Sequence, residues 1–408
     1  MAQHSNWRDC KAWKDAGLPF TTTSNQACKL FDAALTQYVG WYDEPSVGGL
    51  EKTLHDLLEA DPENVMGHVI NNGLELMSTG HSPRLDPEFE KSLGLMSHLV
   101  ADTNKLSEWE RQHVRAINLY GKGYMTDACS VWEDILLEYP QDMLALKFAH
   151  DSYFYLGYQV QMRDSVARVM PQWKADMPLY SYLYGMHAFG LCETNFYDEA
   201  EKLARKGEHQ AAVDIFDSEV CKRFQCSGSM LDMVDACSLL FRLELEGIEI
   251  GQRWENLYEM CYSHINDHLL AFNDAHLMMA YIGAKKKEAA ATCLTSLREY
   301  AEKCLGTNRT ITKDVGIRMC EALVAYDDDR YADAVDVLHP VRYKLVKIGG
   351  SNAQRDIFNQ FLIHAALKSE KTVHHKLARS LLAERKSLKE QSPLTDRLIA
   401  KSLLQHID

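Results

Sequence analysis

Apolar residues recur along most of this 408-residue chain at positions i, i+3, i+4 and i+7, the spacing that places them on one face of an α-helix. Counting from Ala128, for example, Trp132, Ile135 and Leu136 fall on the same face. The apolar–polar alternation of a half-buried β-strand is hard to find. Only 10 prolines are present, so few helices are interrupted. The pattern predicts an all-α fold.

One predicted helix start has three residues at the spacing of a tetratricopeptide repeat, a unit of about 34 residues with two helices, A and B. Gly123 suits the tight turn between helices A and B, Ala128 lets the two helices approach closely, and Pro140 ends helix B. Similar B-helix features occur at residues 57–62, 195–200 and 329–334. We therefore predict a tetratricopeptide-like protein with three alanines buried at contacts between helices A and B: Ala128, Ala200 and Ala334.

Two distant segments, residues 144–150 and 270–276, resemble each other, and each is followed by a Tyr-x-Gly sequence. Both are predicted to be A helices that end near a turn glycine. The repeats predict a helical-repeat solenoid, a right-handed superhelix of antiparallel helix pairs, that covers residues 1–408 as a single array. Its predicted parts are an N-terminal arm (1–26), N-terminal repeats (27–206), C-terminal repeats (207–388) and a closing segment (389–408).

Charge and composition narrow the classes of partner. A net charge of −14 leaves no basic field that would attract nucleic acid or an anionic membrane surface. No apolar run approaches the roughly 20 residues needed to span a bilayer. The 11 cysteines lack a CxxC pair, and the first 20 residues lack the features of a signal peptide, so we expect a cytoplasmic protein with reduced thiols. No pattern in the sequence requires a cofactor.

The most notable polar residues are four histidines on predicted A helices: His113, His150, His187 and His276. The first three are 37 residues apart, so a regular superhelix would align them along one surface. Imidazoles on such a surface could bind a metal or an acidic ligand, with Asp151 and Asp274 sharing or orienting it. The structural alternative is that His150 and His276, at a repeat position that usually contacts a neighbouring helix, are buried polar groups with one hydrogen bond each.

His264 and His268 are four residues apart, the spacing of two metal ligands on one helix face. The glutamate of an HExxH metal site is absent, however. The intervening Asn266-Asp267 pair favours the N-terminal cap of a helix over a metal site.

The glycine pair at residues 349–350 precedes another predicted helix. It would suit an anion bound at a helix N-terminus, but no strand precedes it and no phosphate-loop lysine follows, so a capped helix start is favoured. Gln354, Arg355 and Asp356 lie on the first turn of this helix and are predicted to form either a polar recognition patch or a self-contained hydrogen-bond network. Asn352, which closes the glycine-containing run, and Arg355 are the candidate ligand-binding residues here.

Two function hypotheses follow. The leading one is a cytoplasmic protein that binds a peptide or protein partner on its concave face, the usual role of such superhelices. One tetratricopeptide subclass binds C-terminal carboxylates through a lysine and an asparagine; Lys147 occupies the lysine position, but Asp151 replaces the asparagine and would repel a carboxylate. The alternative is a small-molecule or metal-dependent enzyme that uses the A-helix histidines.

Several motifs resemble the tetratricopeptide repeat protein 38 family over nearly the whole chain: Trp41-Tyr42, Asp61-Pro62, Trp109-Glu110-Arg111, and residues 184–190, 272–276 and 349–356. The resemblance implies a helical-repeat fold. It also implies a link to bacterial relatives that have been suggested to be enzymes of natural-product pathways. It implies no defined activity or catalytic set for this chain.

The repeat pattern is interrupted near Lys206-Gly207. Ala200 and Ala212 both lie in B-helix-like starts but are only 12 residues apart, so no A helix fits between them. Compared with the family it resembles, the chain lacks nearly two repeats here. We expect residues 196–220 to form one fused helix or two short helices with a sharp bend. We also expect the chain to be less stable than a full-length relative.

Overall fold

The fold is formed by helices, as the periodicity predicted. A computed structural model describes residues 6–18, 20–102, 106–195, 228–388, 390 and 392–404. Within these ranges every regular element is a helix, which confirms the all-α prediction for the described chain. None of the described helices is both long enough and apolar enough to cross a membrane.

The chain divides into two compact units. The first unit comprises Met1–Asn195 and Leu305–Thr307. Its described helices are α1 (Cys10–Asp15), α2 (Asn25–Gly40), α3 (Leu50–Ala60), α4 (Val65–Ser78), α5 (Pro87–Asp102), α6 (Glu108–Gly121), α7 (Met125–Glu138), α8 (Met143–Leu156), α9 (Gln159–Val169) and α10 (Tyr180–Asn195). Consecutive helices pack against each other, as in α2 and α3, α6 and α7, and α9 and α10.

Local chemistry explains where these helices begin and end. Ser107 and Glu110 form a reciprocal capping box at the start of α6. Asp142 caps α8 by accepting a hydrogen bond from the backbone N–H of Ala145 at 3.0 Å. Gly157 ends α8 in the left-handed conformation, with φ of 67°. The predicted A helix at residues 144–150 is therefore present as α8, with the turn glycine in its expected role.

The core of the first unit is built around Phe148 of α8, which is fully buried. Its ring centroid lies 5.5 Å from that of Trp132 and 5.6 Å from that of Tyr38. Gly73 of α4 allows the close approach, because a Cβ atom there would lie 2.4 Å from Phe148 Cζ. These contacts bring α2, α4 and α7 to α8, although α2 and α8 are far apart in sequence.

The second unit comprises Phe196–Cys304 and Asn308–Asp408. The remaining described α-helices are α11 (Met230–Leu245), α12 (Arg253–Cys261), α13 (Ala271–Gly283), α14 (Lys287–Lys303), α15 (Thr307–Ile311), α16 (Ile317–Asp327), α17 (Tyr331–Leu338), α18 (Asn352–Lys368), α19 (Thr372–Leu388) and α20 (Pro393–Leu404). A π-helical segment, Thr312–Gly316, joins α15 to α16, and a 3-10 helix, His339–Ile348, follows α17.

The alanines predicted at helix contacts are buried where the structure describes them. Ala128 of α7 and Ala334 of α17 are 0% and 1% exposed. Ala200 and the whole interrupted segment around Lys206-Gly207 lie outside the described residues. The expected departure from helix alternation at residues 196–220 therefore stays a prediction.

The predicted helix cap at Asn266-Asp267 is wrong. The helix begins later, at Ala271, and its first turn is capped from a distance: Asn308 Oδ1 accepts a hydrogen bond from the Ala271 N–H at 2.9 Å. The Asn308 amide also donates to the His268 carbonyl at 2.7 Å. A side chain 37 residues away thus performs the role that the local sequence assigned to a neighbouring residue.

Candidate functional site

A buried ion pair lies on α8 of the first unit. Lys147 Nζ donates to both oxygens of Asp151, at 2.6 and 2.5 Å. Only 6% of the lysine side chain and 15% of the aspartate side chain are exposed. Tyr38 of α2 donates its hydroxyl proton to Asp151 Oδ2 at 2.6 Å. The spacing i, i+4 along α8 aligns the pair, and α2 supplies the third member.

Burial raises the pKa of a carboxyl, but at Asp151 the Lys147 ammonium and the nearby His150 imidazole outweigh it and lower the pKa to about 2. Asp151 is therefore an anion at neutral pH. Its charge is matched by Lys147, so the pair contributes little net charge to the surface around it.

Trp41 lies above this ion pair and is the most unusual residue of the region. Its side chain is 69% exposed, and its ring centroid lies 5.3 Å from Lys147 Nζ. Its backbone has φ of 53° and ψ of 47°, the left-handed conformation at the end of α2. This position normally belongs to glycine, and a larger L-residue there costs about 1–2 kcal/mol. A large apolar side chain is thus kept in solvent at a strained position.

Further aromatic residues continue the surface. Gly40 has no side chain, and Tyr42 and Tyr182 close over it; a Cβ atom there would lie 2.7 Å from the Tyr42 ring and 2.9 Å from the Tyr182 hydroxyl. Phe189 of α10 is 38% exposed, and its ring centroid is 6.2 Å from that of His150. We refer to Tyr38, Trp41, Tyr42, Lys147, His150, Asp151, Tyr182 and Phe189 as the α2–α8–α10 surface.

Two of the predicted site residues, His150 and Asp151, therefore lie together on this surface. His150 Nδ1 is 3.7 Å from Asp151 Oδ1, and His150 Nε2 donates to the Met186 carbonyl of α10 at 3.3 Å. The imidazole is buried and ties α8 to α10. His187 is the next residue after Met186 on α10, and its imidazole lies near Asp164. The pKa of the Asp164 carboxyl is lowered mainly by its hydrogen bond with Arg163 and to a smaller extent by the His187 imidazole.

His113 has a different partner. Its Nε2 lies 2.7 Å from Asp142 Oδ2, and the same oxygen accepts the indole N–H of Trp109 at 2.6 Å. Asp142 is buried, and although burial alone raises its pKa, the His113 imidazole and several hydrogen bonds lower it overall. These hydrogen bonds join α6 to the N-terminal cap of α8, so the role of His113 is structural.

The second unit contains the other predicted site residues. Asp274 Oδ1 is 2.9 Å from His268 Nδ1, and His268 Nε2 is 2.8 Å from the Ser296 hydroxyl. His276 is fully buried and donates from Nδ1 to the Phe272 carbonyl at 2.7 Å. Burial lowers the pKa of His276 to about 4, so the ring is neutral at physiological pH.

Asn352 and Arg355 are used within the start of α18. Ser351 and Gln354 form a capping box there, which confirms the predicted capped helix start. The Arg355 guanidinium donates to the Gly349 carbonyl at 3.1 Å, to the Gly350 carbonyl, and to Asn352 Oδ1 at 2.7 Å. Arg355 is 6% exposed.

Within the described ranges, one group of three side chains has ligand atoms close enough together to share a metal ion: His55, Asp56 and Glu59 on α3. His113, His150, His187 and His276 do not belong to this group. His264 and His268 do not lie on one helix face, because the segment between α12 and α13 is a 3-10 turn followed by irregular chain.

Sequence reasoning did not identify Trp41 or Phe189 as site residues. Both residues were noted only as parts of family motifs, because the left-handed backbone of Trp41 and the exposure of the two rings are properties of the folded chain. No family model matches this sequence, and no solved structure matches it.

Proposed function

We propose that this chain is a cytoplasmic tetratricopeptide-like protein that binds a peptide segment of a partner protein. The binding site in this proposal is the α2–α8–α10 surface of the first unit. The observation that carries the proposal is Trp41, which is 69% exposed and held in a left-handed conformation that favours glycine. Strained residues persist where the surrounding structure holds them and cluster at ligand-binding sites, and Trp41 combines such strain with a large exposed ring.

The chemistry of the surface favours an apolar or aromatic peptide side chain. The Lys147–Asp151 pair is internally neutral, and the exposed groups beside it are Trp41 and Phe189. Exposed tryptophan and phenylalanine beside rigid polar groups are typical of binding hot spots. The hydrogen bonds from Tyr38 to Asp151 and from His150 to the Met186 carbonyl hold α8 against α2 and α10, so the site needs little rearrangement to bind a ligand.

Helical-repeat organisation supports the choice of a peptide as ligand. The ion pair lies on α8, Phe189 lies on α10 and Trp41 directly follows α2. The repeat pattern assigns these three helices to helix A of their pairs. In tetratricopeptide arrays the A helices form the groove that binds extended peptides. The resemblance to the tetratricopeptide repeat protein 38 family is consistent with this organisation.

The test uses a random 12-residue peptide library displayed on phage, followed by measurement of dissociation constants with fluorescently labelled synthetic peptides. We expect the selected peptides to share an aromatic or large aliphatic residue. Trp41→Gly should weaken their binding at least about tenfold, the loss expected for a central aromatic anchor. Glycine relieves the left-handed strain, so the variant should fold as well as the wild type.

Leu137→Ala is the matched control, because Leu137 is 74% exposed but lies on α7, outside the surface. It should leave the dissociation constants unchanged. If selected peptides bind Trp41→Gly as tightly as wild type, the proposed site is wrong.

A further inference from the structure

The second unit contains a cleft of about 160 Å³ at the place where four helices end. The last residues of α11, α13, α16 and α18 all line it: Leu245, Gly283, Asp327 and Lys368. The carbonyl end of a helix carries roughly half a unit of negative charge. Four such ends at one cleft favour a bound cation.

The charged side chains that line the cleft also favour a bound cation. Lys285 and Asp327 form an ion pair at 2.6 Å and neutralise each other. Glu244 and Asp329 also line the cleft, together with a second lysine, Lys368, and the Lys285 ammonium acts on Glu244 more strongly than that of Lys368. Glu244 reaches solvent, and partial desolvation raises the pKa of its carboxyl, although the Lys285 ammonium acts in the opposite direction.

Lys368 already places a cation in this cleft. Its Nζ lies 4.6 Å from the ring centroid of Tyr326 and 5.1 Å from that of Tyr331. Within the described part of the chain it has no ion-pair partner, and Asp329 acts on it only at longer range. Partial desolvation, together with the Lys401 ammonium, lowers the pKa of the Lys368 amine. The side chain is exposed overall, so it can move into solvent at small cost.

We propose that this cleft binds the guanidinium group of an arginine side chain from a partner protein, and that Lys368 is an internal occupant which the arginine displaces. Tyr326 and Tyr331 supply the aromatic faces, and Glu244 and Asp329 supply the carboxylates. The Tyr326 hydroxyl is buried and has no hydrogen-bond partner among the described residues, so it offers a further acceptor.

Arginine fits this cleft better than lysine for a physical reason. A guanidinium is planar, stacks on aromatic rings and is less strongly hydrated than an ammonium, so partial desolvation disfavours it less. Its fork of N–H donors also matches a carboxylate. An arginine-bearing partner complements the net charge of −14 of this chain. The cleft uses no residue of the α2–α8–α10 surface, so the inference is independent of the proposed function.

The test measures binding of three acetylated, amidated pentapeptides by ligand-observed saturation-transfer NMR. The sequences are Gly-Gly-X-Gly-Gly, with arginine, lysine or citrulline at X; citrulline keeps the shape of arginine without its charge. The arginine peptide should bind full-length protein at least threefold more tightly than the lysine peptide, and the citrulline peptide should not compete. Lys368→Ala should strengthen arginine binding at least threefold, because it empties the cleft.

Glu244→Gln should weaken arginine binding at least threefold, and the side chain is accessible enough for the variant to fold. Lys286→Ala is the matched control, since Lys286 also lies over a tyrosine ring, 5.0 Å from the centroid of Tyr258, but outside the cleft. It should leave binding unchanged, as should Trp41→Gly. Equal binding of the citrulline peptide, or no gain in Lys368→Ala, would overturn the proposal.

Discussion

Replacing Asp151 with asparagine removes the anion that faces Lys147 but keeps an oxygen that can accept the hydrogen bond from Tyr38. The pKa of Asp151 is about 2 in the folded chain and about 3.9 in an unfolded chain. Because the folded pKa is the lower one, the stabilisation is present above the unfolded value and is lost as the pH falls from about 4 to about 2. A difference of about two pKa units corresponds to about 2–3 kcal/mol.

At neutral pH the same substitution leaves a buried ammonium without its carboxylate. Breaking such a pair costs about 3–5 kcal/mol. The aromatic faces of Tyr38 and Trp41 remain near the ammonium and offset about 0.5–1 kcal/mol of that cost. We therefore expect Asp151→Asn to lower the free energy of unfolding by about 2–4 kcal/mol, measured by urea denaturation followed by circular dichroism.

The pH dependence separates the ion pair from other effects of the substitution. On acidification to near pH 2, wild type should lose the stabilisation of about 2–3 kcal/mol that comes from the lowered pKa of Asp151. Asp151→Asn lacks this carboxyl and should not lose that contribution. Replacing both residues, with Lys147→Met and Asp151→Leu, should restore most of the stability, because no unpaired charge remains buried. Asp15→Asn, in the exposed pair of Lys11 and Asp15 with the same spacing, should have no measurable effect. An Asp151→Asn variant as stable as wild type at neutral pH would show that the ion pair does not stabilise the fold.

Two further substitutions test the packing of the first unit by urea denaturation. Asp142→Ala removes the cap of α8 and the acceptor of two buried N–H groups, so it should cost about 3 kcal/mol or more and alter tryptophan fluorescence; unchanged stability would contradict the assigned network. Gly73→Ala should cost about 1–3 kcal/mol through its clash with Phe148. Gly94→Ala, in α5 where a Cβ atom meets no neighbour within 4 Å, should instead stabilise by up to about 1 kcal/mol, and equal effects of the two glycine changes would argue against the clash.

The helices that sequence analysis located best are those defined by short-range rules. As predicted, Gly123 precedes α7, Ala128 is buried within it and Pro140 follows its end. The turn, the close helix contact and the helix end each depend on nearby residues. The start of α13 could not be found in the same way. Its cap, Asn308, lies 37 residues further along the chain and comes close only when the unit folds.

The candidate site also depends on contacts over long distances in sequence. Lys147 and Asp151 are four residues apart on one helix, so their pairing was within reach of sequence reasoning. The bond from Tyr38 to Asp151 spans 113 residues, and no local pattern indicates it. The importance of Trp41 follows from its backbone conformation and its exposure, which the sequence does not contain. Periodicity predicts which residues lie inside a helix contact, but not which aromatic residue stays in solvent.

Fluorine NMR can determine whether a peptide binds at Trp41. The chain has 7 tryptophans, and labelling with 5-fluorotryptophan gives each a separate resonance. The resonance lost in Trp41→Gly identifies Trp41. On addition of a selected peptide, we predict that this resonance shifts in a saturable way, while the signals of buried tryptophans such as Trp132 and Trp254 stay unchanged. Saturable binding that leaves the Trp41 resonance in place would show that the peptide binds elsewhere.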